Sequence, residues 1–482
     1  MSSRLQQEAG PNVLRILLEA SELQSEGSEV IFELTRRGET EFRFSAPARE
    51  IGLGGRSEFT AQRFRYGDAD FRLPQKLERE LAKYRWWRRE LWLELDAASS
   101  RLSFVPWEDL LAPYVPGLVL RLPRHSLFGD LPAQHTADLV VCASEPLAKS
   151  PIPIDQILPQ IVLAILNAAR SSTTIHIFTD QKNYDPLTRE LRSLMSDELL
   201  YGVRVYDPSD AKYDPAEFSD VVEDDAERLD NPWLNWMADT LPRTAIGAVH
   251  FLCHGYFSAE QGALAFAESP SRNRDPGWAR FVGARQINTF LDRIGASAVA
   301  FTSPDDNYSV LGLRLLVSQL ASLRPAATFM HGLDRRPGRP IGYDAYNFYS
   351  LLSGAARFAL PFGPPSFIDL TRHACFYCPP SLIYPNLVEP PREVIDELPE
   401  TTRVIYALSR LAESGGTGSG WMTSGSNVIK RAALDLVGTE LFSERQRATH
   451  EGAKRALEFV SDVLSRHAGL GDDDRPRNVE VG

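Results

Sequence analysis

Four cysteines in 482 residues, Cys142, Cys253, Cys375 and Cys378, are too few and too scattered to staple a fold of this size. That excludes a disulfide scaffold and fits a reducing compartment. Lysine is scarce too. Only seven of the 52 basic residues are Lys, a bias toward Arg that points to a GC-rich, bacterial coding sequence. No run of 18 apolar residues occurs, so no membrane-spanning helix is expected. The opening, MSSRLQQEAGPNVLRILLEA, lacks a basic start followed by an apolar run and a small-residue cleavage site, so the expected location is the cytoplasm. Positive charge is not in excess: a net charge of -12 works against the clustered Lys and Arg that nucleic-acid binding requires. A Gly-rich phosphate loop is missing, and neither a nucleotide nor any other cofactor is expected.

What remains has the composition of a globular protein, with 43% hydrophobic, 10% aromatic and 24% charged residues. Single cores stop growing near 250 to 300 residues, so the length calls for two or three domains. Residues 1–75 hold VIFELTRRG and TEFRFSAPA, two β-prone runs across a charged turn, which predict an antiparallel hairpin on a small N-terminal β-rich module. QKLERELAKYRWWRRELW then reads as a helix, and LWLELDAASSRLSFVPWEDLL as strand, turn, strand and helix start.

From Leu139 the runs LVVCAS, TIHIFTD, VRVYDP, AVHFLCHG, AVAFTSP and ATFMHG alternate with amphipathic helical segments. Alternation of this kind predicts an α/β fold with a mainly parallel, six-stranded sheet flanked by helices, over residues 76–390. A Pro-rich exit closes that domain. Residues 391–482, with the Gly/Ser-rich stretch ESGGTGSGWMTSGSN, read as a helical C-terminal region containing a linker.

In open α/β sheets functional groups collect at the carboxyl ends of the strands. The fourth strand ends in HFLCHGYF, which puts His254 at the exit with Gly255 behind it to let the backbone turn. The fifth ends in AFTSPDDN, which puts Ser303 beside it, the side-by-side placement a base and a nucleophile require. Cys253 precedes His254 on a strand, so its thiol points to the other face and reads as core. Asp305, Asp306 and Asp344 are candidates for an acidic pocket, and His331, ending the sixth strand, for the same cleft. HACFYC (His373, Cys375, Cys378) offers three zinc-type ligands where a structural site wants four, so it reads as core and no metal is expected. Trp86, Trp87, Trp92, Trp233 and Trp236 read as packing against the sheet.

Together VPWEDLL, HFLCHGYF, the strand sequence and AYNFYSLLSGA resemble the CHAT domain of caspase-like (clan CD) cysteine peptidases, over roughly residues 90 to 360. The resemblance implies that His254 is the site's histidine. It also implies that a nucleophilic cysteine should end the next strand. That position falls on Ser303 or a neighbour, and no cysteine lies near it. Serine is far less acidic than a thiol, and Pro304 removes a backbone N–H from a possible oxyanion hole.

Two readings follow. One is a degenerate peptidase kept as a protein-binding or regulatory module, the resemblance implying a place in a bacterial conflict or defence system with a protein partner. The other is an active endopeptidase with His254 as catalytic histidine and Ser303, natural or replacing a cysteine, as nucleophile. A small-ligand binder ranks behind both.

Overall fold

A computed structural model describes residues 12–379 except 20–27, 37–38, 54–70, 84–89, 97–99, 116–117, 124–137, 147–150, 169–172, 196–200, 213–228, 230, 242–245, 259–260, 272–278, 305, 325, 334–342 and 353–373; residues 1–11 and 380–482 lie outside it. The chain divides into two compact units, Met1–Leu387 and Val388–Gly482, and every described residue belongs to the first. The expected C-terminal helices and Gly/Ser-rich linker therefore lie outside the described residues, as do Asp305, His373, Trp86 and Trp87.

The six expected strands form as β6 (Asp138–Ala143), β7 (Ile175–Thr179), β8 (Val203–Val205), β9 (Ile246–Leu252), β13 (Ala298–Ser303) and β14 (Ala327–Gly332). They lie in the order β8-β7-β6-β9-β13-β14, all parallel. Most of their residues are buried, which is why they read as continuous apolar runs rather than alternating ones. After β8 the chain returns to the other side of β6, so the order reverses between β6 and β9. Such a switch opens a crevice at the strand ends.

The sheet is not six-stranded, as the sequence predicted, but twelve-stranded and mixed. Beyond β14 comes β15 (Cys375–Tyr377), antiparallel to it, then β5 (Val119–Arg121), β4 (Leu91–Leu95), β1 (Asn12–Glu19), β2 (Glu29–Arg36) and β3 (Glu39–Pro47). The two linking strands are three residues each, too short to show a periodicity. They cover the edge that β14 would otherwise present to solvent. Because β1 pairs in parallel with β4, the N-terminal β2–β3 hairpin is continuous with the main sheet.

Nine helices lie among the described residues: α1 (Gln75–Lys83), α2 (Ser100–Phe104), α3 (Trp107–Leu111), α4 (Ile154–Ala168), α5 (Gln181–Leu194), α6 (Pro232–Thr240), α7 (Ala284–Arg293), α8 (Asn307–Leu323) and α9 (Tyr343–Leu352). None is long and apolar enough to cross a membrane. Helices α4, α5 and α9 cover one face of the parallel strands, and α6, α7 and α8 the other. Several starts are set by local chemistry. Asp180, Asn231 and Asp306 are N-caps whose side chains accept the first free amides of α5, α6 and α8.

Three local expectations change. SRLSF is helix α2 rather than a strand, because its apolar residues dock on neighbouring helices. Phe104 packs with Phe257, Leu311 and Leu315, and Ser103 Oγ lies 2.7 Å from Ser318 Oγ of α8. Trp92 sits on β4, not a helix, and its Nε1 donates to the Cys378 carbonyl at 3.1 Å. A separate three-stranded sheet, β10 (His254–Ser258), β11 (Gln261–Phe266) and β12 (Arg280–Gly283), follows β9 and packs on α8.

Candidate functional site

His254 opens β10 immediately past the switch strand β9, and its ring reaches the N-terminus of α8. Nδ1 lies 3.1 Å from Ser309 Oγ and 3.6 Å from Asp306 Oδ2. Asp306, the cap of that helix, also accepts the Ser309 amide at 2.8 Å. Burial raises its carboxyl pKa, but hydrogen bonding to His254 and Ser309 outweighs burial and holds it below the usual carboxylate range. The ring's other nitrogen, Nε2, is buried with no hydrogen-bond partner among the described residues.

Gly255 holds this arrangement together, though not by turning the backbone, as the sequence suggested. Its φ is not positive. A Cβ there would collide with the Ser309 carbonyl oxygen and come within 2.8 Å of the Leu313 amide nitrogen, so β10 and α8 touch backbone to backbone. Only a residue without a side chain permits that approach.

Ser303 ends β13 as expected, fully buried. Its hydroxyl donates to the Pro304 carbonyl at 3.1 Å, and no hydrogen bond joins it to His254. The structure thus brings His254 and Asp306 together with Ser309, a residue the sequence reading missed. Asp306 and Ser309 stand three apart at a helix start, which is a legible capping signal. Their meeting with a histidine from a distant strand is not.

His331 and Asp344 belong to a second cluster, on the face covered by α4 and α9. His331 Nδ1 is 3.6 Å from Asp344 Oδ2, and His331 Nε2 is 2.6 Å from Thr302 Oγ1. Thr302 Oγ1 is also 2.7 Å from His250 Nε2, whose Nδ1 is 3.2 Å from the Tyr349 hydroxyl. With Asp344 as a carboxylate, the protons run one way. Tyr349 donates to His250, His250 to Thr302, Thr302 to His331, and His331 faces the acid. Each histidine carries one proton and no charge. The buried face of α4 adds only apolar residues here.

This cluster makes the fold acid-sensitive. Burial pushes the His250 pKa down to about 3 and lowers His331 as well, although Asp344 pulls the latter up. Unfolded, both titrate near 6.5, so below that pH the unfolded chain takes up protons that the folded one refuses. The stabilisation is complete above pH ~6.5 and is lost as pH falls toward the folded values. Urea unfolding at pH 5.0 is expected to show His250 alone removing about 2 kcal/mol relative to pH 7.5. In His250→Gln the loss between these pH values should shrink by that amount; an unchanged loss would place the acid sensitivity elsewhere.

The cysteines supply no nucleophile to this site. Cys253 lies in the core with Cys142, and burial pushes its thiol up to about 12. Cys375 and Cys378 fall in the cores on opposite faces of the sheet, so they cannot share a metal ion. Among the described residues no group of three or more His, Cys, Asp or Glu is arranged to hold one.

The VPWEDLL segment has a structural explanation. Glu108 of α3 takes Arg121 of β5 in a two-pronged pair, 2.6 Å from Nε and 3.0 Å from an Nη, and Arg314 of α8 at 3.2 Å. Trp107 is buried beside it, donating from Nε1 to the Leu102 carbonyl. Compared with known proteins, no family model matches this chain, and no curated protein or solved structure matches it either.

Proposed function

We propose that this protein is a caspase-like, CHAT-type scaffold whose former peptidase site binds rather than cuts, serving as a regulatory or protein-binding component of a bacterial conflict or defence system. One observation carries the reading. The hydroxyl at the nucleophile position is fully buried and committed to the Pro304 carbonyl, while His254 is committed to the cap of α8. A serine needs a base within hydrogen-bond reach to become a nucleophile, and among the described residues the Ser303 hydroxyl bonds to the Pro304 carbonyl and to no base. The contiguous parallel block, with a histidine just past its switch strand, supports descent from a catalytic scaffold.

The second reading, an active peptidase using Ser303, draws on the unpartnered Nε2 of His254, which leaves a proton-accepting nitrogen available. Labelling with peptidyl electrophiles, alongside casein or gelatin cleavage, separates the two. The unaltered protein is expected neither to label nor to cleave. Labelling and cleavage that vanish in His254→Ala would overturn the binding reading. Activity gained only by Ser303→Cys would mean that the histidine half is intact and lacks its thiol.

A further inference from the structure

We propose that Asp306 is the positioning residue of this site, fixing His254 in the tautomer that carries its proton on Nδ1 and leaves Nε2 as the proton-accepting nitrogen. The inference rests on the reading of His254 as the site's histidine. It concerns how the ring is held, which neither the motif nor the strand order specifies.

The geometry follows from helix capping. At an N-cap, the side chain accepts the amide three residues on, so Asp306 and Ser309 are drawn to one point, with Oδ1 2.8 Å from the Ser309 amide nitrogen. The carboxylate's other oxygen then faces His254 Nδ1 at 3.6 Å, and Ser309 Oγ stands 3.1 Å from the same nitrogen. An ionised Asp306 has no proton to give, so Ser309 turns its hydroxyl proton toward the acid and its lone pairs toward the ring. Nδ1–H is the donor that completes the chain. The opposite tautomer would set the lone pair of Nδ1 against the carboxylate. Gly255 lets β10 lie backbone to backbone against the first turns of α8, which keeps His254 at the start of that helix.

Nε2 is what the clamp leaves over: among the described residues it is buried without a partner, while Ser309 Oγ and Asp306 Oδ2 both lie at Nδ1. Asp306 also lies three residues past Ser303, so one short segment carries both the nucleophile position and the residue that orients the histidine.

The test is the long-range proton–nitrogen correlation spectrum of the full-length chain labelled with 15N-histidine, with the His254 signals identified by their loss in His254→Gln. The expected result is a single tautomer protonated at Nδ1. Asp306→Asn retains the cap, because Asn caps helices as well as Asp does, but it replaces the anion with a donor. In that variant the ring is expected to invert to the Nε2–H form, and Ser309→Ala should give a mixture. An Nε2–H ring in the unaltered protein, or an Asp306→Asn spectrum identical to it, overturns the proposal. In a Ser303→Cys background that cleaves peptides, Asp306→Asn is expected to lower kcat about 100-fold with KM unchanged; an unchanged kcat also overturns it. Should Ser303→Cys prove inactive, the reading of a repairable peptidase centre fails, and the tautomer alone decides the role of Asp306.

Discussion

Replacing Glu108 with alanine is expected to remove about 3–5 kcal/mol of stability, enough to unfold many domains of this kind. The side chain is 9% exposed, and both guanidinium groups it holds, Arg121 and Arg314, are 0% exposed. Arg121 also donates to the carbonyls of Ser103 and Val105 and to the Tyr377 hydroxyl, so it is built into the core and cannot retreat to solvent. Burial alone would raise the Glu108 pKa, yet the two arginines and their hydrogen bonds hold it below the usual carboxylate range. Its contribution is therefore present above about pH 4.5 and lost as pH falls through the folded value.

Without the carboxylate, both buried guanidinium groups lose the anion that they share. Glu108→Gln keeps an acceptor but not the charge, and should fall between the unaltered protein and alanine. Urea unfolding midpoints for the three proteins check this. Equal midpoints for all three would mean that the arginines find other partners. The ion cluster joins α3, β5 and α8, so the same substitution should loosen the helix whose first turn holds His254.

Gly312→Ala is expected to destabilise the protein although helix propensity predicts the reverse. In the middle of an exposed helix, alanine in place of glycine gains about 1 kcal/mol. Here a Cβ would lie 2.6 Å from both the carbonyl carbon and the carbonyl oxygen of Tyr256 in β10, and still closer to its amide nitrogen. These are backbone atoms of a paired strand, and no rotamer change relieves the contact. Overpacking of this kind costs about 1–3 kcal/mol and occasionally more, so the sign reverses.

Gly255→Ala, with no propensity gain to offset the clash, should lose about 3 kcal/mol and break the contact between His254 and Ser309. The two changes push apart the same pair of backbones, so the double variant should lose less than the sum. A more stable Gly312→Ala protein would show that β10 does not pack on α8 as described.

Much of the fold was readable because its causes are local. Runs such as LVVCAS and AVAFTSP open on unbroken apolar residues because strands covered on both faces need no polar side, and turn polar only at their carboxyl ends. The segments between them carry helical periodicity, and Asp180, Asn231 and Asp306 mark helix starts. The segments that failed are short: CFY and VLR, which link the six parallel strands to β4, β1, β2 and β3, have too few residues for a pattern. SRLSF became a helix by docking on α8, a partner more than 200 residues away.

The division at the site is the same. The sequence by itself determined a parallel α/β block, a histidine just past one strand, a serine ending the next and the absence of a thiol beside them, because each is a property of a few adjacent residues. Tertiary structure decided what those residues touch. It turned the Ser303 hydroxyl onto its own neighbour and brought Ser309 and Asp306 to the His254 ring. It drew His331 and Asp344 into a buried chain with Thr302, His250 and Tyr349, and it gave Gly255 its purpose in a contact with α8. Hydrogen bonds and steric contacts act over about 3 Å, and only the folded chain sets which distant residues come that close.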